Sequence, residues 1–179
     1  MLTEQAKRNV EQAFHRALQT NLIRTSDDVC SITPLVGAGL GEHAAESILV
    51  ITISSFAFRL LALFHLARNP ATRAYYVGSA TGQSLNEAFC EVANMCCGAL
   101  NRELSQQFPH LAMSIPYTLS SQCLAFMGEL NPQYLTTCAI RINEAVQLEA
   151  SLCVCCSTQV DFAAGPVVVE HNGGELEMF

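Results

Sequence analysis

Apolar residues recur at three-and-four spacing near the start of the chain, where Val10, Phe14, Ala17 and Leu18 share one side of a helix. Thr3 stands where an N-cap belongs, so this pattern predicts a helix from there to about Leu22. The pattern then changes. "SITPLV" (31–36) is a short strand candidate, and Gly37, Gly39 and Gly41 break the chain before "ILVITISSFAFRLLALFHLA" (48–67). That region is long enough to suggest a membrane span, but Ser54, Ser55, Arg59 and His65 interrupt it. Its β-branched first half and its serine pair suit strand and turn, so it predicts two strands rather than a transmembrane helix. "ARNPATRAYYVGSATGQS" (67–84) is a polar connection with room for a helical turn.

Helical period returns in "NEAFCEVANMCCGALNREL" (86–104). "HLAMSIPYTLS" is strand-like and carries Pro116, which fits a strand end or edge. "LTTCAIRIN" and "VQLEASLCVCC" read as neighbouring strands joined by a tight turn. The tail "GPVVVEHNGGELEMF" contains Asn172 and Gly173, a favoured hairpin pair. No low-complexity linker or strong internal repeat divides the chain, and its length fits one domain over residues 1–179. Helices and strands without strict alternation predict an α+β fold, with a mostly antiparallel sheet covered by at least two long helices.

Charge and composition remove several function classes. Nine Lys and Arg against 16 Asp and Glu give a net charge of −7, with no basic cluster to neutralise a run of phosphates, so nucleic acid is not an expected partner. Polar residues interrupt the apolar ones of "MLTEQAKRNVEQAFHRALQTNLI", unlike a secretory signal, and the expected location is the cytoplasm. The nine cysteines are an odd number and mostly sit in apolar runs, which predicts reduced core thiols rather than a disulfide framework. "CVCC" (153–156) lacks zinc-knuckle spacing. Within a strand, Cys153 and Cys155 would share one face and Cys156 would take the other. The five histidines show no metal-ligand spacing, and no metal or cofactor held by the chain is expected. "GAGLG" (37–41) has Glu42 where the third glycine of a dinucleotide loop belongs, and "GSATG" (78–82) does not place its serine at the middle of a nucleophile elbow.

The helix at 86–104 carries two residues that cost it stability. Asn94 is a weak helix former, and Gly98 in a helix interior costs roughly 1 kcal/mol relative to Ala. At about 100° per residue, Glu87, Glu91, Asn94 and Gly98 fall in one narrow stripe, while Phe89, Val92, Cys96, Ala99 and Leu100 lie toward the other side. One face packs. The other offers two carboxylates, a carboxamide and a gap, an arrangement that suits insertion against a partner, although Gly98 equally permits close helix packing inside the domain. A carboxylate can anchor a cation, and a neutral carboxamide can orient a water without changing charge. Neither is an activated nucleophile, so the pair makes sense for a substrate that already contains the reactive group and a metal. An aspartyl phosphate on another protein fits.

The ordered run Glu91, Val92, Ala93, Asn94, Met95, followed by Gly98 and by "LAMSIPYTLS" with Pro116, resembles the signature of the CheC, CheX and FliY chemotaxis phosphatases. Glu87 stands where that family usually has Asp or Ser. The resemblance implies a CheC/CheX-like fold and hydrolysis of the phosphoaspartate of a CheY-like receiver. It implies that Asn94 holds the attacking water in line, that Glu91 docks against a receiver lysine, and that the receiver supplies the magnesium ion. One copy of the motif is more like CheX than the two-copy CheC, which implies a homodimer. Glu87 and Gly98 are then partner-binding candidates. Two other readings stand beside the enzyme: a non-catalytic adaptor or flagellar-switch relative that binds a receiver on the same fold, and a divergent domain with an unrelated ligand.

Overall fold

The computed structural model describes residues 2–35, 47–66, 69–78 and 82–162. The glycines at 37, 39 and 41 and the hairpin pair Asn172–Gly173 lie outside the described residues.

The first apolar stripe forms α1 (Glu4–Asn21), whose cap is Thr3, the side-chain oxygen accepting from the Ala6 N–H. Its buried side includes Val10, Phe14, Ala17 and Leu18, the residues picked out by their spacing. The long apolar run breaks into two strands at its serine pair. After β1 (Cys30–Pro34) come β2 (Ser47–Ser54) and β3 (Phe58–Leu66), joined by a turn in which Ser55 Oγ accepts from the Ala57 and Phe58 N–H groups. The polar connection contains α2 (Pro70–Tyr76), with Asn69 as cap and proline at its permitted first position. Then comes α3 (Leu85–Ser105). The strand-like stretch with Pro116 divides into β4 (Ala112–Met113) and β5 (Tyr117–Ser120). The last two strands are β6 (Tyr134–Ile142) and β7 (Val146–Cys156), turned by Asn143 and Glu144 at positive φ.

The seven strands of the described residues join one sheet in the order β1-β6-β7-β3-β2, with β4 and β5 both on the outer side of β2, and every pairing between these strands is antiparallel. Successive residues of the central strands face two different cores. Leu49, Ile51 and Ile53 of β2, Leu60, Ala62 and Phe64 of β3, and Leu148, Ala150, Leu152 and Val154 of β7 pack with α1 and α3. The alternate positions Ile48, Val50, Leu63 and Cys153 pack on the opposite side beneath Leu124 and Met127. Those two belong to a 3-10 segment, Ser121–Leu130, that the sequence patterning does not predict. Coverage on both faces explains why β2 and β3 read as continuous apolar runs rather than alternating ones. No described helix is long and apolar enough to cross a membrane.

The thiols follow this division. Cys96, Cys97, Cys138 and Cys153 are buried, the other five are half-buried, and none is in a disulfide. Cys153 and Cys155 belong to the smaller core and Cys156 to the larger, as strand alternation requires.

Candidate functional site on helix α3

Helix α3 is anchored before it presents anything. Phe89, Ala93, Cys96, Cys97, Leu100 and Leu104 are buried against the sheet and α1. Phe89 meets Phe64 and Tyr76 edge-on, with ring centroids 6.0 and 5.2 Å apart. Arg16 of α1 forms an ion pair with Glu103, and Thr118 Oγ1 of β5 donates to Asn86 Oδ1 at 3.3 Å, tying the edge strand to the first turn of α3.

The first turn is fixed by a reciprocal cap. Ser84 Oγ accepts from the Glu87 N–H at 3.2 Å, and Glu87 Oε2 accepts from the Ser84 N–H and hydroxyl at 2.8 Å each. These bonds, the backbone one first, hold the Glu87 carboxyl below its ordinary range. Glu87 thus has work within the chain. The Ser-x-x-Glu spacing of residues 84 to 87 carries that signal in the sequence, although helical position alone marks Glu87 only as a partner-binding candidate.

Glu91 and Asn94 are both exposed, three residues apart on the same side of α3. Side chains at that spacing have Cβ atoms about 5–6 Å apart. Among the described residues, neither side chain has a hydrogen-bond or ion-pair partner. Gly98 lies one turn further on, half-buried, and a Cβ built there would meet nothing within 4 Å. Close packing among the described residues therefore does not account for this glycine. Beside the pair, Met95 is 51 % exposed.

Cys90, flanked by both acids, is not an activated nucleophile. Burial, followed by the Glu87 and Glu91 charges, pushes its thiol up and keeps it protonated. Burial likewise raises Cys96 and Cys97. No group of three or more His, Cys, Asp or Glu among the described residues could hold a metal ion. The exposed stripe thus supplies a charge, a carboxamide and free space.

Pro116 sits where a ladder hydrogen bond is dispensable. Ser114 bonds to Thr52, and Tyr117 stands opposite Val50, so Ile115 and Pro116 together oppose the single residue Ile51. This is a β-bulge in an edge strand, which splits β4 from β5 and leaves Ile115 83 % exposed. The proline marks a strand edge in the sequence; the bulge depends on register, which the local pattern does not carry.

A sheet of this order, with α1 and α3 on one face, is the α+β fold of the CheC and CheX class of chemotaxis proteins. Among solved structures it is similar to the chemotaxis protein CheX from Vibrio vulnificus, at 11% identity and a TM-score of 0.57, covering 81% of this chain and 98% of that one. It is similar to the Borrelia burgdorferi structure of a CheX-CheY complex with BeF3 and Mg2+, at 9% identity and a TM-score of 0.53, covering 83% and 97%. Thermotoga maritima FliY matches at 14% identity and a TM-score of 0.52, covering 88% of this chain and 92% of that one. No family model matches the chain, and no curated protein matches it in sequence.

Proposed function

We propose that this chain accelerates hydrolysis of the aspartyl phosphate of a CheY-like receiver, with Asn94 holding the attacking water in line and Glu91 docking against a lysine of the receiver. The observation that carries this reading is the pair itself. Glu91 and Asn94 stand exposed and without partners among the described residues, on a helix packed from behind, in a fold shared with a CheX that is seen in complex with CheY, BeF3 and Mg2+.

The chemistry follows from what the helix lacks. With no activated nucleophile on the exposed stripe, the reacting oxygen must be water. A carboxamide can donate to one atom and accept from another, so Asn94 can orient that water without changing charge. Positioning of this kind supplies much of the catalysis available to a site without covalent chemistry. The magnesium ion that offsets the phosphoryl charge belongs to the receiver. Gly98 leaves room for the receiver's backbone to approach, and the chain works as a homodimer, as CheX-like members do. Glu87, already bonded to Ser84, contributes at most its charge to docking.

The test is phosphate loss from phosphorylated receivers with and without the chain, alongside a binding titration. Faster loss in its presence is the expected result. Binding with unchanged decay would assign the chain to the adaptor reading instead, and neither binding nor acceleration across the receivers of the host would leave the fold without this partner.

A further inference from the structure

At the end of the β2–β3 hairpin a cleft of about 380 Å³ opens, lined among others by Arg59, Leu130 and Cys155 from the sheet face opposite α3 and by Phe58 and Cys156 from the α3 side. That volume is in the range of small-molecule sites. Arg59 and Cys155 are directly opposite each other across β3 and β7, and no hydrogen bond or ion pair occupies the Arg59 side chain among the described residues. Cys155 is half-buried, its thiol directed at the Leu130 carbonyl 3.6 Å away. Behind it lies Cys153, fully buried, with the two Sγ atoms 4.0 Å apart.

We infer that Cys155 and Cys153 form a thiol-disulfide exchange site whose co-reactant is a small disulfide bearing carboxylates, bound in this cleft with a carboxylate on Arg59. In the first step the Cys155 thiol gives its proton to solvent, and its sulfur attacks one sulfur of the small disulfide. The disulfide bond breaks, and one small thiolate leaves with the bonding pair. In the second step the Cys153 sulfur, having lost its proton, attacks Cys155 Sγ in the mixed disulfide and expels the other small thiol. The sum is two protein thiols oxidised to one disulfide and one small disulfide reduced to two thiols.

The geometry fits both steps. Residues two apart in a strand have Cα atoms about 6.6 Å apart, at the upper end of the roughly 4.4–6.8 Å that a disulfide spans, and the two Sγ atoms start 4.0 Å apart, so closure requires β7 to bend at residues 153–155 until the Cβ atoms approach. Cys153 is out of reach of an incoming reagent, and burial, followed by the neighbouring Cys155, pushes its thiol up to about 12. It therefore acts second and slowly, and the mixed disulfide on Cys155 builds up first. The site lies on the other side of the sheet from Glu91 and Asn94 and does not depend on their role.

The experiment treats the reduced full chain with oxidised glutathione and maps modified cysteines by peptide mass spectrometry over time. The earliest adduct is expected on Cys155, followed by loss of the glutathionyl group and appearance of a Cys153–Cys155 disulfide. Cys153→Ala should stop at the adduct, while Arg59→Gln should slow adduct formation about fivefold, the scale of one exposed ion pair. With bis(2-hydroxyethyl) disulfide, which has no carboxylate, Arg59→Gln should change nothing. A first adduct on Cys30, Cys90, Cys123 or Cys156, an adduct in the unmodified sequence that never resolves, or an Arg59→Gln effect that is absent or equal for both reagents would overturn the inference. The unmodified sequence alone decides the order of steps if Cys153→Ala fails to fold.

Discussion

Helices α1 and α3 lie against the same face of one sheet and differ in what they leave outside. On α1 the polar residues of the first turns find partners in one another, Lys7 with Glu4 at 2.7 Å, Arg8 with Gln5 at 2.9 Å, and Gln5 with Asn9 at 2.8 Å, while the exposed Gln12, Gln19 and Thr20 further along have none among the described residues. That is a solvated helix face whose charged residues support one another. On α3 two acids are likewise occupied, Glu87 in the cap and Glu103 with Arg16, yet Glu91 and Asn94 between them are left open. The same helix also keeps a glycine that no packing among the described residues requires. Exposure by itself says little, since most surface residues are polar. An unpartnered acid and amide beside a destabilising glycine, on a helix otherwise capped and pinned, says more.

Substitutions on the two sides of α3 should separate folding from function. The largest effect belongs to the buried side: Phe89→Ala should cost about 3–5 kcal/mol of stability in chemical denaturation, because the ring is 1 % exposed and packed edge-on between two others. On the open side, Asn94→Ala should lower the maximal rate of receiver dephosphorylation about a hundredfold, as expected when a positioned water loses its guide. Its stability should stay level or rise by a few tenths of a kcal/mol, since Ala is the better helix former. Glu91→Ala should weaken receiver binding about tenfold, or ~1.4 kcal/mol, and the loss should shrink as salt is added. Gly98→Ala should raise stability by about 1 kcal/mol while weakening receiver binding, an opposition that internal packing could not produce. The smallest effect is at the cap, where Ser84→Ala should lower stability by about 1 kcal/mol or less and leave saturated turnover unchanged.

The two helices were also the most legible parts of the chain. Each is long, has one apolar stripe and starts at a side chain able to cap it, so local pattern and tertiary packing agree. The hairpins β2–β3 and β6–β7 were legible for the same reason, each having its turn residues between apolar runs. The stripe of Glu87, Glu91, Asn94 and Gly98 follows from helical geometry, and the Ser-x-x-Glu spacing of residues 84 to 87 carries the separation of Glu87 from the others. The segment Ser121–Leu130 escaped because a 3-10 turn places its apolar residues at a spacing that matches neither helix nor strand. Its neighbours across the sheet, Ile48, Val50, Leu63 and Cys153, come from three strands spread along the sequence. The strand order and the bulge at Ile115 and Pro116 are likewise products of long-range register. The arrangement of Arg59 across from Cys155 belongs to this second group: the "CVCC" run was visible, its cationic neighbour was not.

The most direct test of the account follows phosphate loss from a phosphorylated receiver across a range of concentrations of the chain, for the natural sequence, Asn94→Ala and Glu91→Ala. Asn94→Ala is expected to lower the plateau rate with little change in the half-saturating concentration, and Glu91→Ala to raise the half-saturating concentration with little change in the plateau. If the natural sequence accelerates nothing, or if both substitutions move the same parameter, the division of labour between the two side chains is contradicted.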